Sequence, residues 1–134
     1  MIPSGNTILT TEINVVTMPS KQHRMDLDKS RILGTCDNLE AVKQSIFKIL
    51  NSERYEYLIY SWNYGIELMD LYGKPPMFVC PEIERRVKDA LVQDDRITSV
   101  DKFEFDISKK GVVSVTFTVH TIFGDLDEEM AVNI

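Results

Sequence analysis

The sequence predicts a small α+β domain in which helices pack on one face of an antiparallel, hairpin-based sheet. Two segments before Arg96 repeat apolar residues at helical spacing, and the residues after Arg96 alternate with a period of two. With 134 residues, 43% of them hydrophobic, the chain is long enough to bury one core. We therefore divide it into an arm of short extended strands (1–36) and one globular unit (37–134).

The first segment contains two short alternating runs. They predict two short strands or extended arms, separated by a break at Pro19 and Ser20 and closed by Gly34. The apolar or β-prone members are Leu9, Thr11, Ile13, Val15, Met25 and Leu27.

A first helix is predicted over residues 39–51. Asp37 precedes Glu40 by three residues, which is the spacing of a capping box at a helix start. The apolar residues that follow form one stripe on the helix surface, which we expect to face the core. The stripe consists of Leu39, Val42, Ile46, Ile49 and Leu50.

Residues 55–60 read Tyr-Glu-Tyr-Leu-Ile-Tyr, and periodicity alone does not decide between strand and helix there. We interpret these aromatics mainly as core residues whose phenolic groups reach the surface, with stacking on a sugar or a base as the alternative. A short helix is predicted over residues 66–72, stopped by Gly73.

A second helix is predicted to begin at Pro81, because proline lacks an N–H and suits the first helical position. Its apolar stripe and its charge pairs at i,i+4 spacing describe an amphipathic helix. The stripe is Ile83, Val87, Ala90 and Leu91, and the pairs are Glu82/Arg86, Glu84/Lys88 and Arg85/Asp89. The helix ends before Asp94, Asp95 and Arg96.

A long hairpin with one apolar face is predicted next. Phe103, Phe105 and Ile107 alternate on its first strand, residues 108–111 turn, and Val113, Val115, Phe117 and Val119 alternate on its second. Residues 124–127 are interpreted as an acidic turn, and Met130, Val132 and Ile134 as a possible third strand. A lone hairpin is marginal in water, so its face must rest on helices and its edges must be covered, blunted or used by another chain.

Charge and composition exclude several classes of function. The formal net charge of −6 and the pI near 4.9 argue against nucleic-acid binding. The chain shows neither a membrane-spanning apolar run nor a signal peptide, so we expect a cytosolic protein without a membrane partner. No phosphate-binding or metal-ligand motif occurs, and no cofactor is predicted. Cys36 and Cys80 are interpreted as buried free thiols.

Clustered carboxylates are the one enzyme-like feature. Asp89, Asp94 and Asp95 could serve acid–base chemistry on a glycan, but adjacent aspartates at a helix end more often form a solvated turn. Arg96 has two equally weighted interpretations: a planar fork for a partner's carboxylates or carbonyls, or a local salt bridge that straightens the turn. His120 falls on the polar face of a strand and is interpreted as a surface or interface residue.

The order of these motifs resembles a known family. A capped helix with Glu-Ala-Val-Lys-Gln at 40–44 is followed by Glu-Arg-Tyr-Glu-Tyr-Leu-Ile-Tyr-Ser at 53–61, Tyr-Gly-Ile-Glu-Leu at 64–68, Gln-Asp-Asp-Arg-Ile at 93–97 and a Phe/Val-rich hairpin. This series resembles the XkdS-like baseplate proteins of Gram-positive prophages. They belong with the inner wedge proteins of contractile tails, once labelled lysozyme-like, and are similar to a baseplate component of type VI secretion systems.

The resemblance implies a structural protein with no enzymatic activity. The wider family carries a Glu-Pro-Arg signature, and Asp94, Asp95 and Arg96 occupy its positions, with the acid and the arginine kept. By resemblance these residues dock on the helical core of neighbouring wedge proteins, and residues 37–134 form the wedge domain. The hairpin would exchange strands with the tail sheath through Phe103, Phe105, Val115, Phe117, Thr118 and Val119.

The resemblance also implies where the chain acts. Its partners would be wedge, hub and sheath proteins, in a ring of six copies, assembled in the host cytoplasm and carried in the baseplate of the virion tail. The rival interpretations are a cell-wall glycan hydrolase that uses the clustered carboxylates and a small module that binds a host factor.

Overall fold

The computed structural model describes residues 19–134, which form two antiparallel sheets and two helices, so the predicted α+β class is confirmed. The interpretation of residues 9–15 as a strand lies outside the described residues. The elements are β1 (Gln22–Asp26), β2 (Arg31–Cys36), α1 (Asn38–Leu50), a 3-10 turn (Met69–Leu71), α2 (Pro76–Leu91), β3 (Ile97–Asp106), β4 (Val112–Thr121) and β5 (Gly124–Asn133).

Strands β1 and β2 form a small hairpin that rests on α1. The side chain of Gln44 joins the two elements: its Oε1 accepts from the backbone N–H of Met25 at 2.8 Å, and its Nε2 donates to the carbonyl of His23 at 2.6 Å. Gly34 was expected to close this section, but it lies inside β2, where its φ of +73° suits glycine. The hairpin is therefore held to the helix by polar side chains.

Helix α1 begins at the predicted cap, but the capping box does not close. Asp37 has the extended backbone of an N-cap, and its carboxylate accepts from the N–H of Asn38 at 2.7 Å. Glu40, which a capping box would turn back toward Asp37, instead pairs with Arg24 of β1 at 3.0 Å. The helix end thus also anchors the small hairpin.

Helix α2 begins at Pro76, so the prediction that Pro81 starts it was wrong. Pro76 occupies the first helical position after Pro75, and Pro81 lies inside the helix. The carbonyl of Met77, which an N–H at position 81 would have met, has no such donor. The predicted stripe is confirmed, since Ile83, Val87, Ala90 and Leu91 are all buried, and the earlier helix start adds Val79 to it.

Residues 55–60 were interpreted mainly as core, which was wrong because this run is exposed. The short helix predicted over residues 66–72 is present only as the 3-10 turn Met69–Leu71, and Ile66 and Leu71 are buried in the core. Residues 54–68 form a turn-rich loop, which we name the aromatic loop. Its tip is solvent-exposed: Leu58 is 101%, Ile59 86% and Trp62 82% exposed. Tertiary contacts at its base, described below, outweigh the strand propensity of its tyrosines.

The second sheet has three strands in the order β3-β4-β5, all antiparallel. The interpretation of residues 124–127 as an acidic turn was wrong, because β5 already begins at Gly124 and pairs without interruption from Gly124–Thr121 to Asn133–Val112. The turn is formed by Ile122 and Phe123 instead. Gly124, at φ +133°, opens the third strand.

Two bulges in β3 keep its apolar side chains on one face. The register with β4 shifts between Ile97 and Ser99 and again between Asp101 and Glu104, where Lys102 has a φ of +53°. As a result Ile97, Val100, Phe103 and Phe105 face the core together, although their spacing is not strictly two. Ile107 lies beyond the strand and is exposed.

The core lies between the two helices and one face of the three-stranded sheet. The buried residues come from α1, α2, all three strands and the segment between the helices, and they pack into one hydrophobic cluster. Fully buried members include Val42, Ile46, Ile66, Leu71, Ile83, Leu91, Val113, Val115, Phe117 and Val119.

Candidate partner-binding surfaces

Arg96 lies between the end of α2 and the start of β3, and Asp94 holds its guanidinium. Arg96 Nε donates to Asp94 Oδ1 at 2.9 Å and Nη2 donates to Oδ2 at 2.7 Å, so the pair is bidentate. The backbone N–H of Arg96 also donates to Oδ1 at 3.0 Å, which closes the turn. The local salt bridge that the sequence suggested is therefore present.

A contact from α1 fixes the outer side of the fork. Arg96 Nη2 donates to Ser45 Oγ at 3.0 Å, which links residues 51 positions apart in the chain. Within residues 19–134, Nη1 makes no hydrogen bond. The Arg96 side chain remains 19% exposed, and that of Asp94 10%. Arg96 is thus rigidly placed, with one nitrogen left for a partner.

Burial and pairing set the ionisation of this turn. Burial raises the pKa of Asp94, but the hydrogen bonds from the Arg96 side chain and backbone outweigh it, and the pKa lies below its usual value. The hydrogen bond to Asp94 raises the pKa of Arg96. Both groups are therefore charged at neutral pH, and Asp95 beside them is exposed.

Residues 94–96 form a turn that we name the Arg96 turn. An open depression of about 910 Å³ surrounds it. Ser45, Tyr64, Gln93, Asp95 and Arg96 are among its lining residues. Because both helices and the aromatic loop contribute, the depression is a composite surface that no single element of the sequence reveals. Its lining is mixed: apolar residues such as Ile49 and Ile122 surround the arginine fork, and the fork itself suits helix carbonyls or carboxylates of another protein.

The aromatic loop is held at its base by two adjacent side chains. The Glu53 carboxylate accepts from the backbone N–H groups of Leu68 and Met69 at 3.0 and 3.2 Å. Arg54 donates to the carbonyl of Gly65 at 3.2 Å and to Asp89 of α2 at 3.1 Å. The loop is thus a supported projection whose exposed apolar tip is a candidate contact surface. In the sequence, the only sign of this support is the pair Glu53-Arg54 directly before the aromatic run.

The hairpin residues predicted to bind the sheath fall into two groups. Phe103 and Phe105 lie on the edge strand β3, and the Phe103 ring stacks on Phe117 at 5.4 Å between centroids. Val115, Phe117 and Val119 are buried on β4, which lies between β3 and β5. Their backbone groups are paired on both sides, so these residues support the sheet from its centre.

The remaining member of that set, Thr118, lies on the opposite face of β4. Its hydroxyl donates to Asp127 of β5 at 2.7 Å. On the same face His120 lies between two carboxylates, with Nε2 2.9 Å from Asp101 and Nδ1 2.7 Å from Asp125. Hydrogen bonds to Asp125 and Asp101 raise the pKa of His120. This histidine therefore links all three strands.

Both rims of the three-stranded sheet are open in residues 19–134. Strand order places β3 and β5 at the edges, and no described strand pairs with the outer side of either. An unpaired edge presents N–H and C=O groups to any extended chain that reaches it. These rims, together with the Arg96 turn and the aromatic loop, are the candidate partner surfaces.

Two of the three carboxylates considered for hydrolysis, Asp89 and Asp94, are engaged in ion pairs, and the third, Asp95, is exposed. Asp94 binds Arg96 at 2.7 Å, and Asp89 binds Arg54 at 3.1 Å. A glycosidase needs a general acid whose pKa is raised. The pKa of Asp94 is lowered instead, which is the opposite of that requirement.

Two further observations bear on the class of protein. No helix within residues 19–134 is long and apolar enough to cross a membrane. The same residues contain no cluster of three His, Cys, Asp or Glu side chains arranged as a metal site.

Comparison with known proteins identifies the family. Residues 14–124 match the family described as contractile injection system sheath initiator. The chain is also 38% identical over 115 residues to the phage-like element PBSX protein XkdS of Bacillus subtilis (strain 168), which covers 82% of this chain and 80% of that protein. The family match spans both helices and strands β3 and β4, and on this evidence the chain belongs to the contractile injection system sheath initiator family.

Proposed function

We propose that this chain joins the wedge ring of a contractile tail baseplate to the first ring of sheath subunits, and that it templates the sheath by strand addition. The coarser role follows from the family: the chain is a structural component of a phage tail that initiates its sheath. The observation that carries the finer proposal is the three-stranded sheet with two open rims in residues 19–134.

Strand addition suits this task for a physical reason. The outer N–H and C=O groups of an edge strand bind an extended segment through main-chain hydrogen bonds, and alternating side chains determine the register. An open rim on a free monomer is a risk for aggregation, but the same rim in an assembly is a binding site. The buried valines and Phe117 of β4 keep the sheet rigid enough to act as a template.

The Arg96 turn is proposed as the attachment to the wedge. Asp94 and Ser45 hold the guanidinium at a fixed angle, so little side-chain entropy is lost when a partner binds. With Asp95 exposed beside it, the turn offers both an arginine donor and a carboxylate acceptor. We propose that the partner surface is the helical core of adjacent wedge proteins.

The remaining features are consistent with a part of a ring. We propose six copies per particle, assembled in the host cytoplasm with wedge and hub proteins before the sheath is added, and without enzymatic activity. The formal net charge of −6 favours a dispersed chain until its partners are present.

A density map of the assembled tail tests the proposal directly. We expect a foreign strand along β3 or β5 and a wedge helix in contact with Arg96. Particles made without this chain should contain tube and hub but no attached sheath, and the wild-type chain should restore attachment. A map in which neither rim carries a strand from another chain would show that strand addition is wrong.

A further inference from the structure

We infer that β5 is the accepting edge, and that it takes an extended segment of another protein with a basic residue opposite Glu128 and apolar residues two and four positions away. This inference rests on the proposed function, because it names the edge and the ligand chemistry of the strand addition. Four observations support it: the regular register of β5, the lack of a partner for Glu128 within residues 19–134, the negative charge of β5, and a groove beside its last residues.

The two rims differ in regularity. The register of β3 is broken twice, and Lys102 at one break has a left-handed backbone, so its outer hydrogen-bonding groups do not form an even row. Strand β5 keeps an unbroken register along its whole length. Bulges and lysines are common devices that protect edges, and β3 has both while β5 has neither. The β5 rim is therefore the better template.

The backbone groups that β5 offers can be assigned from its pairing. The N–H of Ile134 donates to the carbonyl of Gly111 at 2.9 Å, which extends the β4–β5 ladder by one bonded pair. Bonding direction alternates along a strand, so every second residue from there points away from β4. The residues with outward backbone groups are Asp125, Asp127, Glu129, Ala131 and Asn133.

Glu128 lies on the helix-facing side of β5, and among residues 19–134 its carboxylate has no hydrogen-bond or ion-pair partner. It pairs across the sheet with Phe117, on the apolar face. Its Oε1 is buried and makes no hydrogen bond within residues 19–134, and burial raises the pKa of the group. Lys43 of α1 lies nearby but forms no ion pair with it. A basic residue on an added strand would lie about 5 Å away between Cβ atoms, within reach of this carboxylate.

The charge of β5 indicates the same ligand. Its sequence contains four carboxylates and no lysine or arginine. A strand supplied by residues 7–17 of this chain would not match the edge. The single charge in that segment is Glu12, so it lacks the basic residue that the edge requires. Charge complementarity therefore favours a strand from another protein.

A groove of about 670 Å³ adjoins the last residues of β5. Met130 and Val132 line it from the sheet, and Leu50, Tyr57 and Tyr72 line it from α1 and the segment between the helices. Side chains of an added strand opposite Met130 and Val132 would enter this groove. Since these positions are two and four residues from Glu128, they define the apolar part of the recognition pattern.

Synthetic peptides test the inference on the full chain. Two labelled peptides of nine residues would carry threonine throughout, except for one lysine and two valines at alternate positions, with the lysine first in one peptide and last in the other to allow parallel or antiparallel binding. We expect one of them to bind by fluorescence anisotropy and to slow amide hydrogen exchange in residues 124–133. Glu128→Gln should weaken binding about tenfold, in line with the loss of a charge-assisted hydrogen bond.

The controls make the result specific. Glu129→Gln removes a charge of the same strand on the other face and should have a smaller effect, and a peptide with glutamate in place of lysine should bind wild type weakly but Glu128→Lys well. Ala131→Pro should abolish binding, because it removes an outward N–H. Circular dichroism of each variant reports on the fold.

Three outcomes would overturn the inference: no peptide binding at millimolar concentration, equal binding of the lysine and glutamate peptides, or exchange protection in β3 instead of β5. A tail map with a foreign strand on β3 would refute the choice of β5 and leave the proposed function intact. A map with no foreign strand on either rim would refute both.

Discussion

Arg96 is a single residue whose two interpretations are compatible at the atomic level. Asp94 takes Nε and Nη2, Ser45 also binds Nη2, and Nη1 stays without a partner among the described residues. An internal ion pair of this kind leaves some N–H donors of the arginine free, because the guanidinium has five of them. The salt bridge orients the fork that a partner would bind.

Arg96→Ala should lower the free energy of unfolding by about 1–3 kcal/mol, because it leaves the largely buried Asp94 carboxylate without its donors. Chemical denaturation measures this loss. Arg96→Lys should recover part of the stability through its charge but not the wedge contact, since lysine lacks the planar fork. Normal wedge and sheath assembly in Arg96→Ala particles, seen by electron microscopy, would contradict the docking role.

His120 should make the stability of the sheet depend on pH. Its pKa is raised in the fold by hydrogen bonds to Asp125 and Asp101, so folding favours the protonated ring. The stabilisation is then fully present below the unfolded pKa of about 6.5 and is lost as the pH rises through the folded pKa. Denaturation curves between pH 5 and 9 should show this loss in wild type and not in His120→Gln. Identical pH profiles would contradict it.

At the scale of elements, the position of each strand decides what it can do. β4 lies between β3 and β5, so the residues predicted there for strand exchange contribute burial and rigidity. Edge strands alone have free backbone groups. The aromatic loop shows the same dependence on context, because Glu53 and Arg54 fix its base while its tip stays exposed.

Proline substitutions should separate the central strand from the edge. Thr118→Pro removes a backbone N–H from the interior of the sheet and should cost at least about 1–3 kcal/mol, with loss of the fold as the extreme result. Ala131→Pro removes an N–H that points outward and should leave the thermal unfolding midpoint within a few degrees of wild type. Circular dichroism melts give the comparison, and Ala131→Ser is the matched control. Equal destabilisation by the two prolines would contradict the assignment of β5 as an open edge.

At the scale of the whole molecule, negative charge and open rims form one design. The family membership makes this chain a structural part of a phage tail that starts the sheath. The proposed function requires that such a part stays separate until its partners bind. Two β5 rims that approach each other bring carboxylates together, which opposes pairing between copies.

Neutralising β5 should therefore promote self-association. A variant with Asp125→Asn, Asp127→Asn, Glu128→Gln and Glu129→Gln removes four negative charges from one edge. We expect wild type to sediment as a monomer at low salt and the variant to form dimers or larger species. Neutralising four acidic residues outside the sheet is the control for net charge. A variant that remains monomeric would show that charge on β5 does not protect the rim.

The local features of this protein were determined by the sequence alone. Helical and two-residue periods depend only on neighbours along the chain, so the α2 stripe, the hairpin face and the α1 cap at Asp37 could all be predicted. The start of α2 was predicted at Pro81, but the helix begins at Pro76 and continues through Pro81. Both prolines suit a first helical position, and the sequence pattern alone did not distinguish between them. The family resemblance, carried by motifs in order, was confirmed as well.

Only the tertiary structure decided which surfaces are open. The acidic residues after Gly124 suggested a turn, although the alternation of Leu126, Met130 and Val132 was the signal of a strand, interrupted by Glu128. The contact of Arg96 with Ser45 and the placement of β4 between its neighbours join residues far apart in the chain. Such contacts depend on how elements pack, and periodicity along one segment carries no information about the segment that will lie beside it.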